Sequence, residues 1–175
     1  KKKTTYSGTI DFDYNYFGGG TKNAGDFHTK SMLINGNQTK DGNPAYVEKN
    51  LVVTGNFKVS GSQIVVGENA CIGGYFDANN GVAGGNFFIE GNAKNFIMVS
   101  KTYNGTTYSG VSGDVYVGGD IESANGNQEL GGSLYLGGTW HTNLSGYQAG
   151  VKKNLCFGPH AYLDLPSLSR VFYAD

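Results

Sequence analysis

The chain has few charged residues, few prolines and no long hydrophobic run. Lys, Arg, Asp and Glu make up only 15% of its 175 residues, and the formal net charge is −1. This near-neutral charge argues against the basic surfaces that attract nucleic acids or anionic membranes. No apolar run approaches the ~20 residues that a membrane-spanning helix needs. We therefore expect any signal peptide or membrane anchor to lie outside this chain.

The two cysteines, Cys71 and Cys156, are too few for a disulfide framework. Cys71 precedes Ile72 in a glycine-spaced region, and Cys156 lies in an apolar segment. Small apolar surroundings are typical of buried thiols, so we expect both cysteines to lie in the core. A single bridge between them stays open as an alternative, and the redox compartment is not fixed.

Glycine is abundant, with 29 residues, but the rest of the composition is not typical of a disordered chain. Aromatic residues make up 13% of the chain and hydrophobic residues 38%, whereas disordered chains combine high charge with few aromatics. Gly and Asn turns separated by Val, Ile, Phe and Tyr indicate an all-β protein. The length fits one domain.

A short phrase occurs four times, and it reads Gly, polar, apolar, any residue, apolar, any residue, Gly. The copies are Gly55–Gly61, Gly85–Gly91, Gly113–Gly119 and Gly132–Gly138. The two apolar residues alternate with a middle residue, which predicts a short strand with one buried face and one outward side chain. Glycine at each end permits a tight corner.

Repeats of this kind predict a solenoid. Glycines at positions 55, 61, 67 and 73 are evenly spaced, and three such sides would give a coil of about 18 residues, as in hexapeptide β-helices. We therefore predict an all-β fold, a single-stranded parallel β-helix of about six or seven coils. Clusters of Asn, Gly, Thr and Ser predict insertion loops near Asp77–Gly84 and Ser100–Ser112.

A solenoid exposes apolar surface and unpaired strand edges at each end, so it needs caps. We divide the single domain, residues 1–175, into an N-terminal cap and strand region at 1–49, coils at 50–160 and a C-terminal cap at 161–175. The alternating segment Thr9–Phe17 predicts one strand. The tail from Leu165 to Tyr173 is either a short helix or an irregular cap.

No residue pattern predicts catalysis, a cofactor or a metal site. Asp11, Asp13 and Asn15 are spaced like the first ligands of an EF-hand loop, but Tyr16 and Lys22 stand where that loop needs Gly and Glu. Asp114 follows the first glycine of its repeat phrase, and the other three phrases hold Asn or Ser at this turn position. This argues against paired catalytic carboxylates. We therefore predict a protein that is not an enzyme.

The middle residues of the four phrases predict an outward aromatic surface. They are Lys58, Phe88, Tyr116 and Tyr135, and neighbouring strands lie about 4.8 Å apart. Phe88, Tyr116 and Tyr135 would form a ladder, and Trp140 would flank it. Such a row suits a protein interface or a sugar-binding surface. The alternative is that a loop or the N-terminal strand covers the row.

The segment from Gly113 to Ile121 looks like the glycine-bounded repeats of bactofilin-type, polymer-forming β-solenoids. It also resembles the β-helical ectodomains of some PilX-like proteins associated with bacterial type IV pili. The resemblance covers residues 50–160. Bactofilins imply end-to-end polymerisation in the cytoplasm. The long insertions, the many aromatics and the expected caps favour the surface-appendage interpretation instead.

The resemblance and the composition together predict a non-enzymatic structural or adhesive module on the bacterial cell surface, associated with a pilus. Its expected partners are other protein subunits of a surface assembly, or a surface glycan, and not nucleic acid. No cofactor is expected. The alternative is a carbohydrate-binding module that uses the same aromatic row, or a polysaccharide-active β-helix protein.

Overall fold

The computed structural model describes residues 5–6, 10–12, 15–18, 22–23, 25–35, 45–60, 64–78, 82–94, 101–103, 106–108, 111–123, 128–142, 148–164 and 170–173. Within these ranges every regular element is a β-strand, which confirms the prediction of an all-β protein. The described ranges contain no helix with the length and hydropathy to cross a membrane.

The first half of the chain contributes twelve short strands, of which β10 and β12 are the longest. They are β1 Thr5–Tyr6, β2 Ile10–Phe12, β3 Asn15–Gly18, β4 Lys22–Asn23, β5 Phe27–Thr29, β6 Met32–Asn35, β7 Ala45–Val47, β8 Leu51–Val53, β9 Phe57–Ser60, β10 Ile64–Ile72, β11 Phe76–Ala78 and β12 Val82–Ile89.

The second half contributes twelve more, and none exceeds four residues. They are β13 Ala93–Lys94, β14 Lys101–Tyr103, β15 Thr106–Tyr108, β16 Val115–Val117, β17 Ile121–Ser123, β18 Gln128–Leu130, β19 Leu134–Leu136, β20 Thr139–Thr142, β21 Gln148–Val151, β22 Leu155–Phe157, β23 Tyr162–Asp164 and β24 Arg170–Tyr173.

Two large parallel sheets contain most of these strands. Sheet A has 11 strands along the path β1-β4-β7-β10-β12-β16-β19-β22, and β2, β5 and β8 join it through β10. Sheet B has 8 strands in the order β3-β6-β9-β11-β13-β17-β20-β23. A third parallel sheet, sheet C, joins β18, β21 and β24. The hairpin of β14 and β15 is the one antiparallel pair among the described strands.

The chain passes from sheet A to sheet B repeatedly, and each strand pairs with its counterpart from the next passage. For example, β8 pairs with β5 and β10, while β9 pairs with β6 and β11. The same parallel pairing continues from residues 1–49 into 50–160 without a change of direction. It also includes β23 and β24 from residues 161–175.

Two local expectations were wrong. Thr9–Phe17 is not one strand, because β2 pairs in sheet A and β3 in sheet B; in the sequence, the apolar alternation continues from β2 into β3. The described part of the tail, β24, is a strand. Of the two expected loops, the segment at 100–112 contains the β14–β15 hairpin. In the other, residues 77–78 belong to β11 and 82–84 to β12, and 79–81 lie outside the described residues.

One hydrophobic core lies between the sheets. Phe57, Phe76 and Phe87 are fully buried and form a continuous ring contact, with centroids 5.2 Å and 5.9 Å apart. The other buried apolar residues of the cluster are Phe27, Met32, Val47, Leu51, Val53, Val59, Ile64, Val66, Ala70, Ile72, Ile89, Ala93, Val111, Val115, Val117, Ile121, Leu130, Leu134, Leu136, Trp140 and Val151. Burial of alternate residues on each strand leaves the middle residues facing outward.

A polar ladder connects successive passages along sheet A, directly before β5, β8, β16, β19 and β22 and inside β10 and β12. Its members are Asp26, Asn50, Asn69, Asn86, Asp114, Ser133 and Asn154. Asn86, for example, donates from Nδ2 to Asn69 Oδ1 at 3.1 Å and accepts the backbone N–H of Asp114 at 2.8 Å. Ser133 N–H in turn donates to Asp114 Oδ1 at 2.8 Å. Five of the side chains, those of Asp26, Asn50, Asn86, Asp114 and Ser133, accept the backbone N–H of the ladder residue in the next passage.

Glycine is required at the corners because successive passages approach closely there. A Cβ atom on Gly137 would overlap the carbonyl oxygen of Gly118, and one on Gly67 would overlap that of Glu48. The spacing of glycines in the sequence therefore marks the corners at which the backbones of successive passages are in direct contact.

Candidate functional site

The three aromatic residues predicted to form an outward row lie together on sheet A. Phe88 pairs in register with Tyr116, and Tyr116 pairs with Tyr135. Phe88 and Tyr116 expose 38% and 37% of their surface, and Tyr135 is partly exposed. The row is therefore open to solvent, and within the described ranges neither a loop nor the N-terminal strand covers it. We call Phe88, Tyr116 and Tyr135 the aromatic row.

The rings of the aromatic row stack on one another. The centroids of Phe88 and Tyr116 are 4.9 Å apart with an interplanar angle of 14°, and those of Tyr116 and Tyr135 are 4.3 Å apart with an angle of 3°. Both ring faces of Tyr116 are thus covered by its neighbours, while Phe88 and Tyr135 each have one face covered by Tyr116. Stacking of this kind adds stability beyond simple burial.

The hydroxyl of Tyr116 stays protonated over a wider pH range than an ordinary phenol. Desolvation by the neighbouring side chains raises the pKa of Tyr116, and Tyr135, Asp114 and Cys156 raise it further. The exposed edge of the row therefore combines carbon with the neutral Tyr116 hydroxyl, which suits a surface that docks another molecule.

A cysteine adjoins the aromatic row at each end. Cys71 pairs in register with Phe88, and Cys156 pairs with Tyr135. The prediction that both thiols lie in the core was wrong: Cys71 is exposed and Cys156 is partly exposed. Cys71 lies between the buried Ala70 and Ile72, and its middle position faces outward; Cys156 is the middle residue of β22 and holds the equivalent register position beside Tyr135. This middle position in the alternating pattern is the sequence feature that predicts an outward-facing thiol.

The two cysteines do not bridge each other. Both are free thiols, and four strand spacings put them about 19 Å apart, whereas a disulfide needs Cα atoms within about 7 Å. Partial burial of its sulfur raises the pKa of the Cys71 thiol. This thiol is consequently less reactive at neutral pH than its exposure alone suggests.

Lys58 does not belong to the aromatic row, although it occupies the same place in its repeat phrase. It lies on β9 in sheet B, where it pairs in register with Leu33 and Asp77. The chain uses one phrase at the entry to both sheets, so the phrase alone does not specify the sheet. Cys71 holds the place in sheet A that was expected for Lys58.

Trp140 does not flank the aromatic row either. It is 3% exposed and lies on β20 in sheet B, in register with Ile121. The reason is the corner before it: Gly137, Gly138 and Thr139 turn the chain toward the next sheet, and the first residue of that strand after the polar corner points into the core. Trp140 is therefore a core residue and supplies no contact surface.

Sheet B presents a different outward row, in which charges alternate. The members in register are Lys58, Asp77, Lys94, Glu122, His141 and Asp164. His141 Nδ1 lies 2.9 Å from Asp164 Oδ2. Among the described residues, no group of three or more His, Cys, Asp or Glu side chains is placed to hold a metal ion.

Comparison with known proteins found no similarity. No protein-family profile matches the chain, and neither the curated proteins nor the solved structures include a significant match.

Proposed function

We propose that the described strands are the sides of one single-stranded parallel β-solenoid. Counterpart strands of successive passages pair in parallel throughout sheets A and B, and polar ladders and glycines mark the corners. Counted in this way, the strands make eight passages, β1–β3 to β21–β23, and β24 begins a ninth. This is more than the six or seven coils expected from the phrases.

The proposed function of this solenoid is that of a non-enzymatic structural or adhesive module in a bacterial surface assembly, associated with a pilus. The observation that carries the proposal is the aromatic row, an exposed row of stacked Phe and Tyr side chains on rigid strands. Tyr and Phe are enriched in the central part of protein interfaces. A rigid aromatic surface loses little conformational entropy on binding, so it suits a subunit contact.

The stacking of the row favours a protein partner over a sugar. Recognition of a sugar ring by an aromatic side chain needs an open ring face. Here the faces of Tyr116 are covered by Phe88 on one side and by Tyr135 on the other. The exposed ring edges and hydroxyl groups instead match the mixed apolar and polar surface of a protein interface. The placement on a bacterial surface rests on the composition and on the resemblance of residues 50–160 to pilus-associated ectodomains.

The test is the double variant Tyr116→Ser/Tyr135→Ser of the full-length protein, produced in the bacterium that makes it. Surface appendages are sheared off, and the amount of protein in this fraction is measured by immunoblot. We expect the variant to fold, as shown by its thermal melting, but to be lost from the sheared fraction. Lys58→Ser is the matched control, because Lys58 faces outward from the other sheet.

Retention of the double variant at the wild-type level would contradict the proposal. If the serine variant does not fold, Tyr116→Leu/Tyr135→Leu keeps apolar contacts along the row and is measured in its place. Retention of the wild type on polysaccharide columns, lost in the same variants, would support the carbohydrate-binding alternative.

A further inference from the structure

Five successive positions of the outward row on sheet A have nearly the same chemistry when read from either end. They are Cys71, Phe88, Tyr116, Tyr135 and Cys156, and the row continues beyond Cys71 through Val52, His28 and Asp11. Tyr116 is the centre, with one aromatic residue and then one thiol on each side. Equal strand spacing keeps these positions about 4.8 Å apart. A surface of this kind is complementary to a copy of itself that runs in the opposite direction.

Two charged side chains beside this row are also complementary to those of a copy that runs in the opposite direction. Glu68 and Lys153 each precede a cysteine of the row by three residues, and both are exposed. They occupy equivalent corners, since the backbone N–H of each donates to the preceding passage, to Lys49 O at 3.0 Å and to Gly132 O at 3.2 Å. Glu68 and Lys153 thus carry opposite charges at the two ends of the five-position segment, and Lys49 occupies the next corner beyond Glu68.

Between these two charges the equivalent corner positions are glycines. The three intervening passages have Gly85, Gly113 and Gly132 there. These glycines add no side chain that would keep a second sheet away from the aromatic row. Glu68 itself is held in place, because its Oε2 accepts a hydrogen bond from Asn50 Nδ2 at 3.1 Å.

We propose that a second copy of the chain docks on the aromatic row, related by a two-fold axis that runs parallel to the strands through Tyr116. The inference rests on the proposed function, because it names the subunit that the row contacts. Rotation about this axis reverses the order of the passages but keeps each corner on its own side. Tyr116 then meets the partner's Tyr116, Phe88 meets the partner's Tyr135, and the interface is isologous.

The charge pattern selects this axis. With it, Glu68 faces the partner's Lys153, and the pair occurs twice in the dimer. A two-fold axis along the stack of strands would instead place Glu68 over the partner's Gly74, at the corner on the other side of the sheet. Lys153 would then have no acidic side chain opposite it. Asp114 lies near the proposed axis, but its Oδ1 accepts the backbone N–H of Ser133 and is directed along the ladder.

Substitutions that swap the charges of Glu68 and Lys153 test the proposed dimer. Sedimentation velocity of the full chain over a range of concentrations gives the dimer dissociation constant. Glu68→Lys and Lys153→Glu should each raise this constant about tenfold or more, because like charges meet twice. The double variant Glu68→Lys/Lys153→Glu should restore it to near the wild-type value. A wild type that stays monomeric, or a double variant weaker than both single variants, would overturn the proposal.

Chemical cross-linking tests the register independently. In the proposed dimer Cys71 lies opposite the partner's Cys156, while the two Cys71 residues are about 19 Å apart. A bis-maleimide shorter than this distance should therefore cross-link the wild type. It should also cross-link a mixture of Cys71→Ser and Cys156→Ser chains, but neither variant alone. Equal cross-linking of one single variant alone would show a different arrangement and overturn the proposal.

The two proposals fail in different ways. A monomeric wild type whose Tyr116→Ser/Tyr135→Ser variant is still lost from the surface fraction would overturn the dimer and leave the interface function intact. A dimer with the predicted charge exchange, together with a variant that is retained on the surface, would overturn the role of the row in assembly and support the dimer.

Discussion

Lys94 and Glu122 occupy the same position on neighbouring strands of sheet B, with 3.9 Å between Nζ and Oε1. His141 and Asp164 repeat this relationship further along the sheet at 2.9 Å. Exposed ion pairs of this kind contribute little to stability individually. Because the charges alternate, however, neighbouring side chains in the row attract each other. On sheet A, the five outward positions from Cys71 to Cys156 carry no charged side chain and expose carbon, hydroxyl and thiol groups instead. This segment therefore has more to gain from a partner than the charged row on sheet B.

The close backbone contact at Gly137 predicts a sensitive position. Gly137→Ala would place a Cβ atom against the carbonyl oxygen of Gly118, and the corner would have to move. We expect a loss of about 1–3 kcal/mol in the free energy of unfolding, measured by urea denaturation.

Gly158 supplies the matched control for this prediction. It follows its strand in the same way, one passage later, but its Cβ would make only ordinary contacts, the nearest at 3.5 Å to the Cα of Gly137. Gly158→Ala should therefore leave the unfolding midpoint close to that of the wild type. Equal losses in the two variants would show that backbone proximity does not explain the glycines.

The polar ladder predicts a second stability effect, at Asn86. Asn86→Ala removes the oxygen that accepts the Asp114 N–H at 2.8 Å and the donor to Asn69 at 3.1 Å. Leaving partly buried groups unpaired costs about 1–3 kcal/mol, which thermal or urea unfolding measures. Asn154→Ala is the control, because the Asn154 side chain donates from Nδ2 to Ser133 Oγ at the long distance of 3.4 Å, while the 3.3 Å bond to the same oxygen comes from the backbone N–H, which alanine keeps. A larger loss for Asn154→Ala would contradict the ladder's role.

The sequence was sufficient to predict strands and corners, because both depend on short-range chemistry. Alternation set the inward and outward faces of segments such as Val115–Val117, and glycine with Asn or Asp marked the turns. The assignment of a strand to one of two sheets was not predictable in this way. The phrases around Lys58 and Tyr116 are chemically alike, and which sheet each joins depends on how many corners precede it along the chain.

The errors at Cys71 and Trp140 have one physical cause. Hydrophobicity alone favours burial of a cysteine and permits exposure of a tryptophan, but the phase of the strand decides both. Cys71 is a middle residue between Ala70 and Ile72, which are buried, and Trp140 follows a polar corner as Ile121 does. The parallel between Gly119-Asp120-Ile121 and Gly138-Thr139-Trp140 was present in the sequence and indicates the core position.

Acid should weaken the wild type more than an Asp26→Asn variant. The backbone N–H and Nδ2 of Asn50 donate to Asp26 Oδ1, both at 3.1 Å, and hold the pKa of this carboxyl group below its ordinary value of 3.8. A lowered folded-state pKa contributes stability that is present above the unfolded-state pKa and is lost as the pH falls through the folded-state pKa.

The measurement is the urea midpoint of both proteins at about pH 6 and about pH 3, on either side of the ordinary carboxyl pKa. The wild type should be the more stable at the higher pH, and the difference should shrink at the lower pH. The other carboxyl groups are common to both proteins and cancel in the comparison. A difference that grows on acidification would contradict the stabilising role of the Asp26 carboxylate.

The core position of Trp140 predicts a fluorescence signature, since it is the chain's only tryptophan. With 3% of its surface exposed, its emission should be blue-shifted and resist quenching by iodide until urea unfolds the chain. Trp140→Ala should cost about 3–5 kcal/mol in the free energy of unfolding, as for other large-to-small core changes. Phe88→Ala, on the open row, should cost much less. Red-shifted, readily quenched emission from the folded protein would show that Trp140 is exposed. The inward and outward residues of β20 would then be the reverse of those described.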